Sequence, residues 1–224
     1  MSRVPRAERL PLTRERIVAA ALDLLDADGL EALTMRRLAD RLGVGAMSLY
    51  RHVEDRDELL DLVVEGILSE TEIPAPTGSW RLDLASIARA TRAGLLRHRS
   101  AAVLVTTRLG LGRGGLAALE RTLAVLRGAG FDDATAVAAN RALGNLVAGA
   151  VLYEAAGLAG AQGAARERRR DEGRALMAGL PADVYPNLHA AADALFSVTA
   201  DEAFEAGLGA LLDGFEGLLA ERRG

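Results

Sequence analysis

Cysteine is absent from this 224-residue chain. That excludes a disulfide framework, thiol catalysis, iron–sulfur clusters and cysteine-ligated zinc. Lysine is absent too, so all 27 basic residues are arginine. With abundant alanine and 24 glycines this reads as GC-rich codon usage, and it weakens any case that a single arginine is there for function. Histidine occurs only at His52, His98 and His189, too scattered for a His-rich metal motif or a Ser–His–Asp set. Aromatics are 4% of the chain, so leucine, alanine and valine must fill the core. No apolar run reaches the ~18 residues that suggest a membrane span. Residues 1–16, broken by arginine and proline, contain no apolar signal core. The expectation is a cytoplasmic protein that is not an enzyme, with no membrane association, no metal and no cofactor.

Half the residues are hydrophobic and 26% charged, which suits a folded globular protein. The net charge of −4 does not favour a polyanionic partner, but it is uneven. Residues 1–56 hold ten arginines against nine acids, and the remainder seventeen against twenty-two. The N-terminal part is therefore the better place for an anion.

Apolar residues recur at helical spacing nearly throughout. Ile17, Ala20, Ala21, Leu24 and Leu25 follow Thr13, an N-cap residue, and Asp28-Gly29 supplies a stop. A second helix starts at Thr34 and carries Leu38, Ala39 and Leu42 before Gly43. A third runs from about Ala46 to Val53. A fourth starts at Asp55, with Glu58 at the capping-box position and Leu59, Leu60, Val63, Val64, Ile67 and Leu68 on its apolar face. Pro74, Pro76 and Gly78 break the chain. Further helices follow from Trp80, with breaks at 110–115, 128–130, 157–163 and 181–186. Residues 134–156 are apolar almost all round, and the last helix, about Asp201 to Arg222, aligns Phe204, Leu208, Leu211, Leu212, Phe215 and Leu219. The expected fold is all-α. Residues 1–68 form one domain, 55–72 a connecting helix, and 75–224 a second domain.

The stretch 34–53 is the most informative. Two helices that cross near a right angle need a small residue at the crossing, and Ala39 supplies it. Four positions on, the turn needs a residue that tolerates positive φ, and Gly43 supplies that. Leu38, Leu42, Val44 and Leu49 then make the apolar inside corner, leaving Ser48, Tyr50, Arg51 and His52 outward. This register points to a DNA-reading helix-turn-helix.

On these residues the chain resembles the DNA-binding domain of TetR-type transcriptional repressors. The segment ALDLLDADGLEALTMRRLADRLGVGAMSLYRHVEDRDELLDLV carries the likeness. Further on, LLRHR, TTR, LERTLAVLRGAGF and GNLVAGAVLYE fall in the order found in tetracycline repressor-like regulatory domains. The resemblance implies a symmetric all-α homodimer that places each third helix in a major groove of a palindromic operator. A small organic inducer bound in the C-terminal domain releases the DNA. By position, Arg36 is the implied base reader. Met47, Ser48, Arg51 and His52 face the groove, and Thr34, Tyr50, His52 and Arg56 are phosphate partners. The helices around 134–156 and 201–222 are expected to form an intersubunit four-helix bundle, and 55–68 to act as the lever.

The pocket departs from the tetracycline repressors, which hold a magnesium–drug chelate. At the matching positions stand Glu72, Ile87, Thr91, Leu104 and Tyr153, and only Thr107 and Arg108 persist. A hard cation wants oxygen or imidazole ligands, so a mostly apolar, metal-free ligand is expected. Its polar partners would come from His98, Thr107, Arg108, Asn140, Asn145, Tyr153 and Glu154.

Two features point elsewhere. Val103–Thr107 reads as a short strand, and Gly110–Gly115 after it fits the glycine pattern of a dinucleotide site, which makes an NAD(P)-dependent reductase the alternative. Such a sheet needs several strands alternating with helices, and the chain offers one. The run Arg166–Glu172 reads as a solvated connection rather than a second nucleic-acid patch, because acids interrupt it.

Overall fold

The computed structural model describes residues 11–108, 112–156 and 164–221, and these contain helices and no strand. The first helices are α1 (Arg14–Asp28), α2 (Met35–Leu42), α3 (Ala46–Leu49) and α4 (Arg56–Ser69). Local chemistry sets their ends. The hydroxyl of Thr13 accepts from the Arg16 amide at 3.3 Å, and that of Thr34 from the Arg37 amide at 3.3 Å. Asp55 caps α4 by accepting from the Glu58 amide at 2.9 Å, while Glu58 reaches back to the Glu54 amide. Gly43 ends α2 in the left-handed region, φ 65°, as the tight turn into α3 demands.

Leu38, Ala39 and Leu49 are buried where α2 and α3 cross, and Leu42 and Val44 are half-buried beside them. Behind the corner, Ile17, Ala21 and Leu25 of α1 join Leu59, Val63 and Ile67 of α4 in one continuous core. Burial of so many large aliphatic side chains, each worth ~1.5–3 kcal/mol, makes this corner rigid.

The rest comprises α5 (Trp80–Arg97), α6 (Ala102–Thr107), α7 (Arg113–Ala129), α8 (Asp133–Ala155), α9 (Ala164–Ala178), α10 (Pro186–Ser197) and α11 (Ala200–Glu221). Helix α8 is long and apolar enough, by length and composition, to cross a membrane. Here it packs against α5, α7 and α11. Trp80, Phe131 and Phe215 form an edge-to-face chain with successive ring centroids 6.2 Å apart. Helices α9 and α10 pack chiefly on each other, pinned by the Arg174–Asp193 ion pair at 2.7 Å and by His189 Nε2 against the Leu180 carbonyl at 2.7 Å.

Three expectations change. Val103–Thr107 lies in α6, so the first element of a dinucleotide fold is missing. Residues 166–172 lie inside α9, where opposite charges share a helical surface instead of a loop. Regular α3 ends at Leu49, and Tyr50–His52 form the turn that follows, although the Val53 amide still donates to the Leu49 carbonyl at 3.0 Å.

Candidate nucleic-acid interface and ligand cavity

The α2–α3 corner presents a polar rim on an apolar base. Met47 is the most exposed large apolar side chain, at 78%. Ser48 is half-buried, and its hydroxyl accepts from Arg51 Nη2 at 3.2 Å, which orients the guanidinium along the outward face. Arg36 is exposed. Its neighbour Arg37 is tied to Asp28 at 2.5 Å, and Arg41 to Asp23 at 3.4 Å. The acids that flank α2 therefore occupy Arg37 and Arg41 and leave Arg36 facing outward. Tyr50 is 46% exposed.

The remaining expected DNA-facing residues also serve the fold. The Thr34 hydroxyl caps α2 and retains its O–H as a donor. Arg56 Nε donates to the Leu33 carbonyl at 3.2 Å. The His52 carbonyl accepts from Arg14 Nε at 3.0 Å, and Arg14 also pairs with Glu58 at 2.8 Å. The eight residues thus lie on α2 and its cap, on α3 and the turn after it, and at the first position of α4. Arg14, which bridges the His52 carbonyl and Glu58, was hidden in sequence among five arginines in sixteen residues.

A cavity of about 1110 Å³ opens between α8, α9, α10 and α11. Leu146, Leu176, Leu195, Phe196 and Phe204 supply most of its apolar wall, and Arg169, Arg170 and Glu172 edge it. Among the residues expected to bind a ligand, Asn145, Tyr153 and Glu154 line it together, spaced along α8. Asn145 and Tyr153 are exposed rather than bonded within an apolar helix. At its floor Glu154 accepts from Arg92 Nε at 2.8 Å, and Arg92 Nη2 also meets Asp201 at 2.6 Å. The Arg92 guanidinium lies 4.7 Å from the Phe204 ring centre. Sequence reasoning missed Arg92, because one arginine among 27 carries no signal of burial.

The other expected ligand residues lie elsewhere. His98 closes the end of α5, its Nδ1 2.8 Å from Asp26 of α1 and its Nε2 3.2 Å from Glu70 after α4. Arg108 reaches α4, not the cavity. Asn140 sits half-buried on α8 away from the cavity lining. The Thr107 side chain lies outside the described residues. Ile87 and Leu104 are buried. No group of three or more metal-ligating side chains occurs among the described residues.

Comparison with known proteins agrees with this geometry. Residues 17–63 match the family described as bacterial regulatory proteins, tetR family, and residues 73–219 match the tetracyclin repressor-like C-terminal domain. The HTH-type transcriptional repressor DrrR1 of Streptomyces coeruleorubidus is 37% identical over 99% of this chain and 84% of its own length. The class A tetracycline repressor from transposon 1721 of Escherichia coli is 37% identical over 92% of this chain and 90% of its own. The crystal structure of the Streptomyces coelicolor protein ActR in complex with actinorhodin superposes with a TM-score of 0.84. It is 38% identical, covering 94% of this chain and 99% of that one. A helix-turn-helix with an outward arginine rim, a helical second domain around a large cavity, and full-length likeness to these repressors lead to one conclusion: the chain belongs to the TetR family of bacterial regulatory proteins.

Proposed function

We infer that this protein is a homodimeric transcriptional repressor that leaves its operator when a small organic molecule fills the α8–α11 cavity. The observation that carries the DNA-binding part is the α2–α3 corner. Arg36, Met47 and Arg51 stand outward from a buried Leu38–Ala39–Leu49 crossing, so their positions are set before DNA arrives. An arginine at that rim donates to guanine O6 and N7, while Thr34, Tyr50 and Arg56 contact phosphates and fix the register. The net negative charge does not oppose this, because attraction is local within about a Debye length. Residues 1–68 act as the reading domain, 55–72 as its connector and 75–224 as the regulatory domain, working in the cytoplasm where the operator lies.

Assembly follows from the outer faces of α8 and α11. A Cβ added at Gly144, Gly209, Gly214 or Gly217 meets nothing within 4 Å in the subunit. Glycine inside a helix costs about 1 kcal/mol relative to alanine, and close approach of a partner's helices offsets that. Phe215 does not belong to this surface, since it is buried against Phe131. A Phe215→Glu change would therefore damage the subunit core rather than separate a dimer.

For the ligand, the apolar wall with Asn145, Tyr153 and Glu154 along one side suits a mostly apolar molecule oriented by a few polar groups. Fluorescence anisotropy with operator fragments selected from the native genome tests the whole reading. Tight, palindrome-dependent binding by a dimer, reversed by a small molecule, is the expected result. Equal affinity for any duplex would refute it.

A further inference from the structure

We propose that the end of α6 and the start of α7 form an electrostatic clamp on α4, with Arg108 and Glu65 as the positioning residues that set the reading helix. The inference rests on the regulator reading above. Its starting point is a stripe of three carboxylates, Asp57, Asp61 and Glu65, spaced four residues apart on α4. Such spacing stacks them on one face, and like charges so placed weaken a helix in isolation. Each is answered from one of these two helix ends. Arg108, the C-cap of α6, donates through Nη2 to Asp57 Oδ1 at 2.7 Å and through Nη1 to Asp61 Oδ1 at 2.5 Å. Its Nη1 also reaches the Asp57 carbonyl at 3.1 Å. Two turns on, Glu65 Oε1 accepts from the Gly114 amide in the first turn of α7.

The glycines explain the second grip. Gly112 is the N-cap of α7, and a Cβ there would overlap the Glu65 carboxylate. A Cβ at Gly114 would lie 3.0 Å from the Ser69 backbone nitrogen and 3.2 Å from its Cα, which cannot yield without moving α4. The positive end of a helix stabilises an anion. A pattern that imitates a phosphate-binding turn here receives the chain's own carboxylate. From Asp57 to Glu65 the gripped carboxylates span about 12 Å of α4 at 1.5 Å per residue. The two grips fix both its position and its tilt, and α4 follows the α3 corner directly. The grips themselves are polar, an ion pair at Arg108 and a charge-assisted hydrogen bond at Glu65.

The test uses the full-length protein. Because the chain has no cysteine, Met47→Cys gives one spin label per subunit at an exposed site on the reading face. The distance between labels in the DNA-free dimer is measured by pulsed electron resonance, and operator affinity is measured on unlabelled protein. Arg108→Ala and Glu65→Gln should each broaden or shift the distance distribution by several ångströms. Each should weaken operator binding at least tenfold, with hydrogen exchange of residues 56–69 accelerated. High salt should broaden the wild-type distribution and leave the double variant unchanged. Gly114→Ala should act like Glu65→Gln; if it fails to fold, the two side-chain variants decide. Folded variants that keep the wild-type distances and affinity would overturn the clamp, as would a lowered melting temperature with unchanged distances. Shifted distances in a protein that binds no operator would support the clamp and sink the regulator reading instead.

Discussion

Arg92 on α5 and Glu154 on α8 approach to 2.6 Å, with only 12% and 10% of their side chains exposed. Breaking such a pair costs more than the pair contributes, because the remaining charge is left without water or partner. Arg92→Ala strands Glu154 and should destabilise the fold by about 4 kcal/mol. Glu154→Ala leaves Arg92 with Asp201, which is 81% exposed, so a loss of about 3 kcal/mol is expected. Urea unfolding gives both values, and a reversed order would contradict this account.

The reading corner was legible in the sequence because its requirements are local. Ala39, Gly43 and Leu49 answer to sterics within a few residues, and the structure places all three in those roles. The regulatory part was legible in its helices and not in its polar contacts. His98 and Arg108 sit at helix ends and read as pocket residues, yet they reach α1 and α4 across the fold, to partners 72 and 51 residues away. Such pairings depend on tertiary placement, which no periodicity encodes. The false strand at Val103–Thr107 arose from a β-branched run whose propensity was overridden where it forms helix α6, which packs against α4 and α8. Phe215 was correctly placed on an apolar stripe, but the stripe alone does not say whether it faces the subunit's own core or a partner.

Arg36 and Arg37 are adjacent and should behave oppositely. Arg36 faces outward from α2, whereas Arg37 is engaged with Asp28 at 2.5 Å. Arg36→Ala should cost roughly 1–3 kcal/mol of operator discrimination, or about five- to 150-fold in affinity ratio. Arg37→Ala should leave that ratio unchanged and alter stability by less than about 1 kcal/mol, as for exposed ion pairs. Anisotropy titrations against the operator and a scrambled duplex separate the two, and a matching loss in both variants would refute the assignment.

Gly43 holds φ at 65°, and a Cβ there meets no neighbour within 4 Å. The cost of Gly43→Ala is therefore backbone strain alone, about 1–2 kcal/mol. Chemical unfolding should register that loss while the variant still binds operator at temperatures well below its transition. A neutral substitution would mean that the turn readily adopts another geometry.

Asp83 links stability to pH. Its carboxylate accepts from the Thr77 amide and from the Thr77 hydroxyl, each at 2.7 Å, and these bonds, the amide first, hold its pKa below the ordinary carboxylate value. A carboxyl depressed in the folded state stabilises it above the unfolded pKa and loses that contribution as pH falls through the folded one. The melting temperature of the wild type should exceed that of Asp83→Asn near neutrality, with the gap closing in acid. A gap that widened in acid would reverse the sign of this linkage.

The cavity gives the last prediction. Gly149 lines it, and a Cβ there has open space, so Gly149→Leu should fill volume without disturbing the subunit. A ligand shifts the equilibrium only as far as it prefers the released conformation over the DNA-bound one. Couplings of that kind are typically about 1–3 kcal/mol. An inducer identified by screening should lose potency against Gly149→Leu and against Tyr153→Ala, while both variants keep wild-type operator affinity without it. Release should proceed equally well with chelator present, because the cavity wall is mostly apolar and no metal-ligating cluster occurs among the described residues. Arg108→Ala should behave differently, weakening operator binding even without inducer, since Arg108 holds α4 rather than lining the cavity. The measurement is dissociation of a preformed operator complex. Release by tetracycline that requires magnesium, unaffected by Gly149→Leu, would move the ligand site out of this cavity.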